Sequence, residues 1–444
     1  MFDGDETQSA IPGRPVKGRP AKQARSIKTR ESILSAAVEL IAEKGIAGLT
    51  HRLVAERAAV PLAATTYYYA NKFDIVADAA NETRQRYLTA FERAASRFRS
   101  GEAGPGGLRG FILKMLRNAG SVHRSGTIAW AEISLDAVRH PESLAISRLW
   151  SADLRALWTD VATAAGASDP AEATRAGMDT TTGLIFMTLA LGLGRDDINR
   201  VFVDGIDPIG AWAHCARSPR RPRPKPKAES RKSAETKAKI LQAAIETLIA
   251  DGAAAVSFRE IARRTGMATG APGYHYESIE ELLRLAQTRL FEESKMRYRT
   301  ALADGAPRTV DFEGLVDMTS VILQREITES GRQHLATFAI WMEATRRPDL
   351  RPLIWSAVID QCGAWNRVLD PFSSHRHPSS GLIAQAMFAG KLIRVLALGA
   401  VTADMVGLRS ELARDLRALL DGRFWALPEV VTKATAKSLG RRSK

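Results

Sequence analysis

Apolar residues recur along most of the chain at the three-to-four-residue interval of an α-helix. Ile33, Leu34, Ala37, Leu40 and Ile41 fall at i, i+1, i+4, i+7 and i+8, one stripe along a helix, and Gly45 stands where such a helix stops in the left-handed conformation. Thr50 predicts the N-cap of a second helix, and Ser257 does the same further on, where Ser257-Phe258-Arg259-Glu260 fits a capping box. Leu408, Leu412, Leu416 and Leu419 mark another stripe near the end. Alternating runs bounded by turn residues are scarce, so the pattern predicts an all-α protein. The longest apolar stretch, residues 183–194, covers 12 residues, short of the roughly 20 that a membrane span needs. It reads as a buried helix, and no membrane partner is expected.

The pattern is also written twice. Shifted by 207 positions, the sequence falls on itself without a gap: Ile33-Leu34 on Ile240-Leu241, Gly45 on Gly252, Tyr67 on Tyr274, Tyr69 on Tyr276, Arg139 on Arg346, Pro141 on Pro348 and Trp158 on Trp365. Agreement at rare residue types over a constant offset is not a product of shared helical composition, so the chain is a tandem duplication of one large unit. Each copy is long enough for its own core.

Composition changes the picture only through charge. The 444 residues are 45% hydrophobic and 25% charged, ordinary globular values that exclude wholesale disorder. Two separated cysteines, Cys215 and Cys362, give neither a disulfide framework nor a zinc site. The polar start MFDGDETQSA lacks a secretory signal, so a cytoplasmic, nucleoid-associated protein is expected. The net charge is +14, yet residues 1–30, 216–239 and 430–444 carry +4, +8 and +5, leaving −3 for all the rest. Basic tails and linker on a near-neutral body suit attraction to the phosphate backbone, so double-stranded DNA is the expected partner. Residues 13–20, GRPVKGRP, resemble AT-hook minor-groove binders, and residues 218–227 alternate proline with basic residues as a polyproline linker does. No Gly-rich phosphate loop, nucleophile elbow or metal-ligand cluster is found, so neither an enzyme nor a cofactor is indicated.

After Thr50 the chain reads HRLVAERAAVPLAATTYYYANKFDIV, and after Ser257 FREIARRTGMATGAPGYHYESIEELL. In both, a short helix ends in a tight turn, Ala59-Val60 or Gly266-Met267, before a second short helix rich in small, hydroxylated and aromatic residues. This is helix-turn-helix spacing, with a second helix thin enough for a major groove. Here the chain resembles the TetR family of transcriptional regulators, most closely from Val60 to Lys72. The resemblance implies a DNA-binding head and a helical ligand-binding and dimerisation domain in each copy. On this view residues 1–25 are a disordered basic arm, 26–76 the first head, 77–216 the first helical domain and 217–232 the linker. The second head is 233–283, its helical domain 284–427, and the basic tail 428–444.

The same resemblance distributes roles. Leu62, Thr65, Thr66 and Tyr67 would face the groove, while Thr50, Arg52, Tyr68 and Lys72 would hold phosphates and Tyr69 would be buried. In the second copy Ser257, Arg259, Thr269, Tyr274 and His275 are the counterparts. Pro272 and Gly273 there fall inside the reading helix and Ile279 replaces the lysine, so that head is expected to be distorted, relaxed in specificity, or no longer a DNA reader. The family pairs units through their last helices, and one chain with two copies can supply both halves as an intrachain pseudo-dimer reading an asymmetric operator. A homodimer of whole chains with four heads is the alternative. A small apolar effector would sit among His123, Trp130, Glu132, Trp158, Phe186, Phe338, Trp341, Trp365 and Met387, most of which otherwise serve as core. The expected function is a repressor relieved by that effector; the competing reading is an architectural DNA-binding protein of slight sequence preference.

Overall fold

The apolar stripe on residues 33–41 does what its spacing requires: Ile33, Ala37, Leu40 and Ile41 are essentially solvent-free on the inward face of helix α1 (Arg19–Lys44), and Gly45 ends it at φ +70°. In the computed structural model of the chain, the described residues are 19–102, 107–217, 230–305, 311–373, 377–399 and 406–422. The amino-terminal GRP repeat, the Pro-rich linker core and the basic tail lie outside them. Among the described residues there are nineteen α-helices and no strand.

The first unit runs α1, α2 (His51–Arg57), α3 (Leu62–Tyr68), α4 (Lys72–Arg99), α5 (Gly107–Ala119), α6 (Arg124–Asp136), α7 (Pro141–Ala164), α8 (Pro170–Leu191), α9 (Arg195–Phe202) and α10 (Pro208–Ala211). The second runs α11 (Arg231–Asp251), α12 (Phe258–Thr265), α13 (Ala271–His275), α14 (Ile279–Gly305), α15 (Phe312–Thr328), α16 (Gly331–Glu343), α17 (Arg351–Leu369), α18 (Ser380–Ala397) and α19 (Leu408–Leu420). The 207-residue register holds in three dimensions: α2 and α12, and α4 and α14, start at matched positions, and α6 and α16 match at both ends. Helix α1 begins at Arg19, inside the segment expected as a disordered arm.

The two units meet where α8 crosses α18. A side chain at Gly183 would overlap the carbonyl oxygen of Ala386, and one at Gly390 would overlap that of Asp179, so the crossing needs glycine on both helices. These four positions are themselves related by the 207 offset. Helix α18 is long and apolar enough to cross a bilayer, but its surface is spent on α8 and α17 and 89% of it is buried.

A line of charge runs through this apolar contact. Asp179 of α8 is wholly buried and accepts from Lys391 Nζ (3.0 Å) and Arg394 Nε (2.7 Å) of α18, while Lys391 also meets Asp415 (2.8 Å) and Glu411 (3.1 Å). Arg175 reaches across to Asp415 at 2.6 Å. Burial pushes the Asp179 carboxyl up, and the charges of Lys391, Arg394 and Arg175 more than reverse that, holding it below the usual range. The seam is one-sided. At the 207-related positions stand Ala386, Leu184 and Met187, which are apolar.

A second pair of contacts is crossed. Arg346, just beyond α16, donates to the carbonyls of Ala42 (2.9 Å) and Ile41 (3.0 Å) at the end of α1, and to Glu132 (2.6 Å). Arg139, its counterpart in the first unit, donates to Leu248 (3.1 Å) and Ile249 (3.3 Å) at the end of α11. Each guanidinium thus donates to carbonyls at a helix end of the opposite unit, Ile41 and Leu248 among them also accepting from the backbone of Gly45 and Gly252.

Candidate DNA interface and effector pocket

The first head is set by its caps. Thr50 Oγ1 accepts from Leu53 N (3.2 Å) and starts α2, and Ala59 makes the turn at φ +54°, among the described residues the one non-glycine residue in the left-handed region. Pro61 then leads into α3. On that helix Tyr67 is 82% and Leu62 50% exposed, and Thr66 is exposed with its hydroxyl donating to Ala63 O. Thr65 corrects the expectation: it is fully buried, and its hydroxyl donates to Leu62 O at 2.8 Å. It shares the inward face with Tyr69, four residues on, whose hydroxyl donates to Asp78 (2.6 Å) while Arg30 of α1 grips the same carboxylate at 2.6 and 2.7 Å. Tyr68 is half-buried, edge-on to Tyr67, and bonds Ser26 of α1 at 2.8 Å. Arg52 is exposed, and Lys72 Nζ lies 5.2 Å from the Phe73 ring centre.

The second head builds its reader differently. Pro272 does not interrupt the helix; it sits in the first turn of α13, where its missing N–H leaves no helix bond unmade, and it fills the buried place of Thr65. The helix is consequently five residues long instead of seven. Tyr274 is 89% exposed with His275 edge-on to it, whereas Thr269 lies in the exposed turn before the helix rather than on it. Gly266 takes the left-handed turn position at φ +68°. Ser257 caps α12 through Glu260 N (3.2 Å), but the Glu260 carboxylate, instead of closing the box, binds Arg263 (2.6 Å) and Arg264 (2.8 Å), which hold it down at about 2. Arg259 is exposed. Residues 26–76 hold six basic and five acidic side chains, residues 233–283 five and seven, so the heads differ in charge as well as length.

Below the first head a cavity of about 110 Å³ opens among α4, α6, α7 and α8, with Ile393, Arg394 and Ala397 of α18 and Leu398 just past its end closing it from the other unit. Trp130, Trp150 and Trp158 line it, with Tyr87 and Phe91. It shares Tyr87, Phe91, Met115, Thr127 and Ile185 with a groove of about 410 Å³ that runs under α1 past His123. The Tyr87 hydroxyl and Thr127 Oγ1, 2.6 Å apart, stand between the two. Of the residues expected around an effector, His123, Trp130 and Trp158 line these spaces. Glu132 does not, being paired with Arg346 across the units. Phe186 is packed between Trp130 and Phe338, Trp341 lies edge-on to Phe338, the Trp365 indole donates to Gln385 (3.0 Å), and Met387 is fully buried; none of these is in the walls. Tyr87, Ser134, Ser147, Asp179, Thr181 and Arg394 line the cavity without having been singled out from sequence. Comparison of the two copies position by position carries that signal for three of them, since Ser134, Ser147 and Thr181 stand against Trp341, Ile354 and Phe388.

Paired three-helix heads with exposed tyrosines, each on a helical body that packs against its twin, define a helix-turn-helix regulator with a ligand-binding domain. Residues 33–79 and 240–286, again 207 apart, match the family described as bacterial regulatory proteins, tetR family, and residues 103–207 and 310–422 match the tetracyclin repressor-like C-terminal domain. The chain therefore belongs to the TetR family of DNA-binding transcriptional regulators and is a tandem duplication of its whole unit. No curated protein matches it. Among solved structures it is similar to the crystal structure of the multidrug binding protein EbrR complexed with imidazole, at 24% identity over 42% of this chain and 91% of that one, with a TM-score of 0.26.

Proposed function

We propose that the chain is a repressor in which the two units act as the halves of one dimer, each head reading one half of an asymmetric operator, and that a small apolar effector in the first unit's cavity releases it. The proposal keeps the division into arm, heads 26–76 and 233–283, helical domains 77–216 and 284–427, linker and tail, in the cytoplasm. The observation that carries it is the pairing of two unlike exposed readers, Tyr67 at 82% and Tyr274 at 89%, in one chain whose units close on each other through α8 and α18. The first head is the stronger reader: it keeps Lys72, Arg52, Leu62 and Thr66 about Tyr67. The second offers Arg259, Ser257, Tyr274 and His275 from a shorter helix with more acidic surroundings. An effector that binds the free geometry more tightly than the DNA-bound one shifts the balance by that difference and no more.

Footprinting on the DNA upstream of the gene, with light scattering, tests the reading. A 48.4 kDa particle protecting two unlike half-sites is the expected result. Four protected half-sites under a particle of twice that mass would replace the pseudo-dimer by a homodimer of whole chains. Equal affinity for specific and random duplexes with the same salt slope would favour the architectural alternative. Thr66→Ala and Tyr67→Ala should each weaken specific protection by about 1–3 kcal/mol, with little change on random DNA.

A further inference from the structure

We infer that the effector is a neutral aromatic molecule carrying a hydrogen-bonding group, and that each chain binds one molecule of it, in the first unit alone. This rests on the reading of the chain as ligand-responsive and deepens it. Three observations converge. The cavity of about 110 Å³ is walled by Trp130, Trp150, Trp158 and Phe91, which is space for a single ring between aromatic faces; an apolar cavity of roughly 150 Å³ takes up benzene.

Two hydroxyls in the same walls, Ser147 Oγ of α7 and Thr181 Oγ1 of α8, are buried and unpartnered within the protein, on residues 7% and 2% exposed. A buried hydroxyl without a partner is costly, and a ligand group that donates or accepts there recovers the loss. Charge points the same way. The ionised groups in the walls, Asp179 and Arg394, are already paired with each other at 2.7 Å, so an ionic ligand would be desolvated with no counter-charge to meet it.

The second unit does not repeat these walls. At the positions 207 beyond Ser134, Ser147, Ser151 and Thr181 stand Trp341, Ile354, Val358 and Phe388, all buried. Four small hydroxylated positions carry apolar side chains there, and Trp130 and Trp150 give way to Thr337 and Ala357, so neither the aromatic faces nor the hydroxyls that define the site are repeated.

The test uses the full chain and three ring compounds that differ in one substituent: toluene, p-cresol and p-toluate. Binding is read by quenching of the wall tryptophans and by calorimetry. The expected result is one p-cresol per chain, about tenfold tighter than toluene for the recovered hydrogen bonding, with p-toluate weaker than either. Ser147→Val with Thr181→Val should erase the preference for p-cresol while toluene still binds, and Ser134→Trp, which copies Trp341, should abolish both. Two molecules per chain, tighter binding of p-toluate, an unchanged preference in the double variant, or no binding of p-cresol to the folded chain would each overturn the inference. Binding as expected with no effect on operator affinity would instead leave the site standing and defeat the regulatory reading.

Discussion

Ala59 holds the turn between α2 and α3 at φ +54°, where the second unit places Gly266 at +68°. A Cβ in that region costs on the order of 1 kcal/mol, so Ala59→Gly is expected to raise the thermal midpoint of the first head's unfolding while leaving operator contacts in place. A lowered midpoint would show that the turn is set by something other than backbone sterics. The same segment shows how far single residues were legible. Tyr69, just past the end of α3, is expected inside from the family resemblance and is buried. Thr65 was expected outside and is buried. Side-chain chemistry does not distinguish Thr65 from Thr66, both small and hydroxylated; only the rotation of the helix does, and Thr65 lies one turn before Tyr69 on the inward face.

At the scale of elements, the caps and stops were readable because Thr50, Ser257, Gly45 and Gly252 impose local geometry wherever they occur. Pro272 lies inside α13 as the spacing predicts, but a proline's effect depends on where its helix begins, and in the first turn it deletes no helix bond. The crossed arginines were invisible for a different reason: Arg139 and Arg346 are in register with each other, but nothing in the sequence says that each points at the other copy's α1 or α11. Their removal separates two costs. Arg346→Ala strips Ile41 and Ala42 of a donor and leaves the half-buried Glu132 and buried Glu343 without it, an expected loss of about 3 kcal/mol in denaturant unfolding. Arg139→Ala, which breaks contacts to carbonyls alone, should cost about 1–2 kcal/mol. Equal losses would mean that the carboxylates contribute nothing. Between α14, α15 and α16, burial pushes the Glu326 carboxyl up, but Arg297 (2.8 Å) and His334 outweigh it and hold it at about 2. A depressed carboxylate contributes its stability above the ordinary glutamate range and loses it as pH falls, here between about 4.5 and 2. The thermal midpoint should decline over that window, and Glu326→Gln should flatten the decline.

Over the whole molecule, the duplication was legible because a constant offset of 207 residues survives wherever bulky or conformationally special residues are fixed. The seam was not, since a lone Asp179 in one apolar helix and Lys391 and Arg394 in another do not announce a partner. It can be tested by restoring the symmetry it breaks. Asp179→Ala alone takes one carboxylate from the buried Lys391 and the partly buried Arg394, which keep Asp415 and Glu411, and is expected to cost about 3 kcal/mol. Adding Lys391→Leu and Arg394→Met, the residues of the related positions, removes both cations but leaves Asp415 and Glu411 to Arg175 alone, so only part of that loss should return; full recovery would show that the pairs to Asp415 and Glu411 contribute nothing. The same asymmetry limits what else this surface can pair with. A first unit set against a second first unit would meet Asp179 with Leu184 and Met187, leaving it Arg175 of its own helix and no cation from across the crossing. At this crossing the two copies are complementary and no longer interchangeable, so either would make a poor match for its own duplicate.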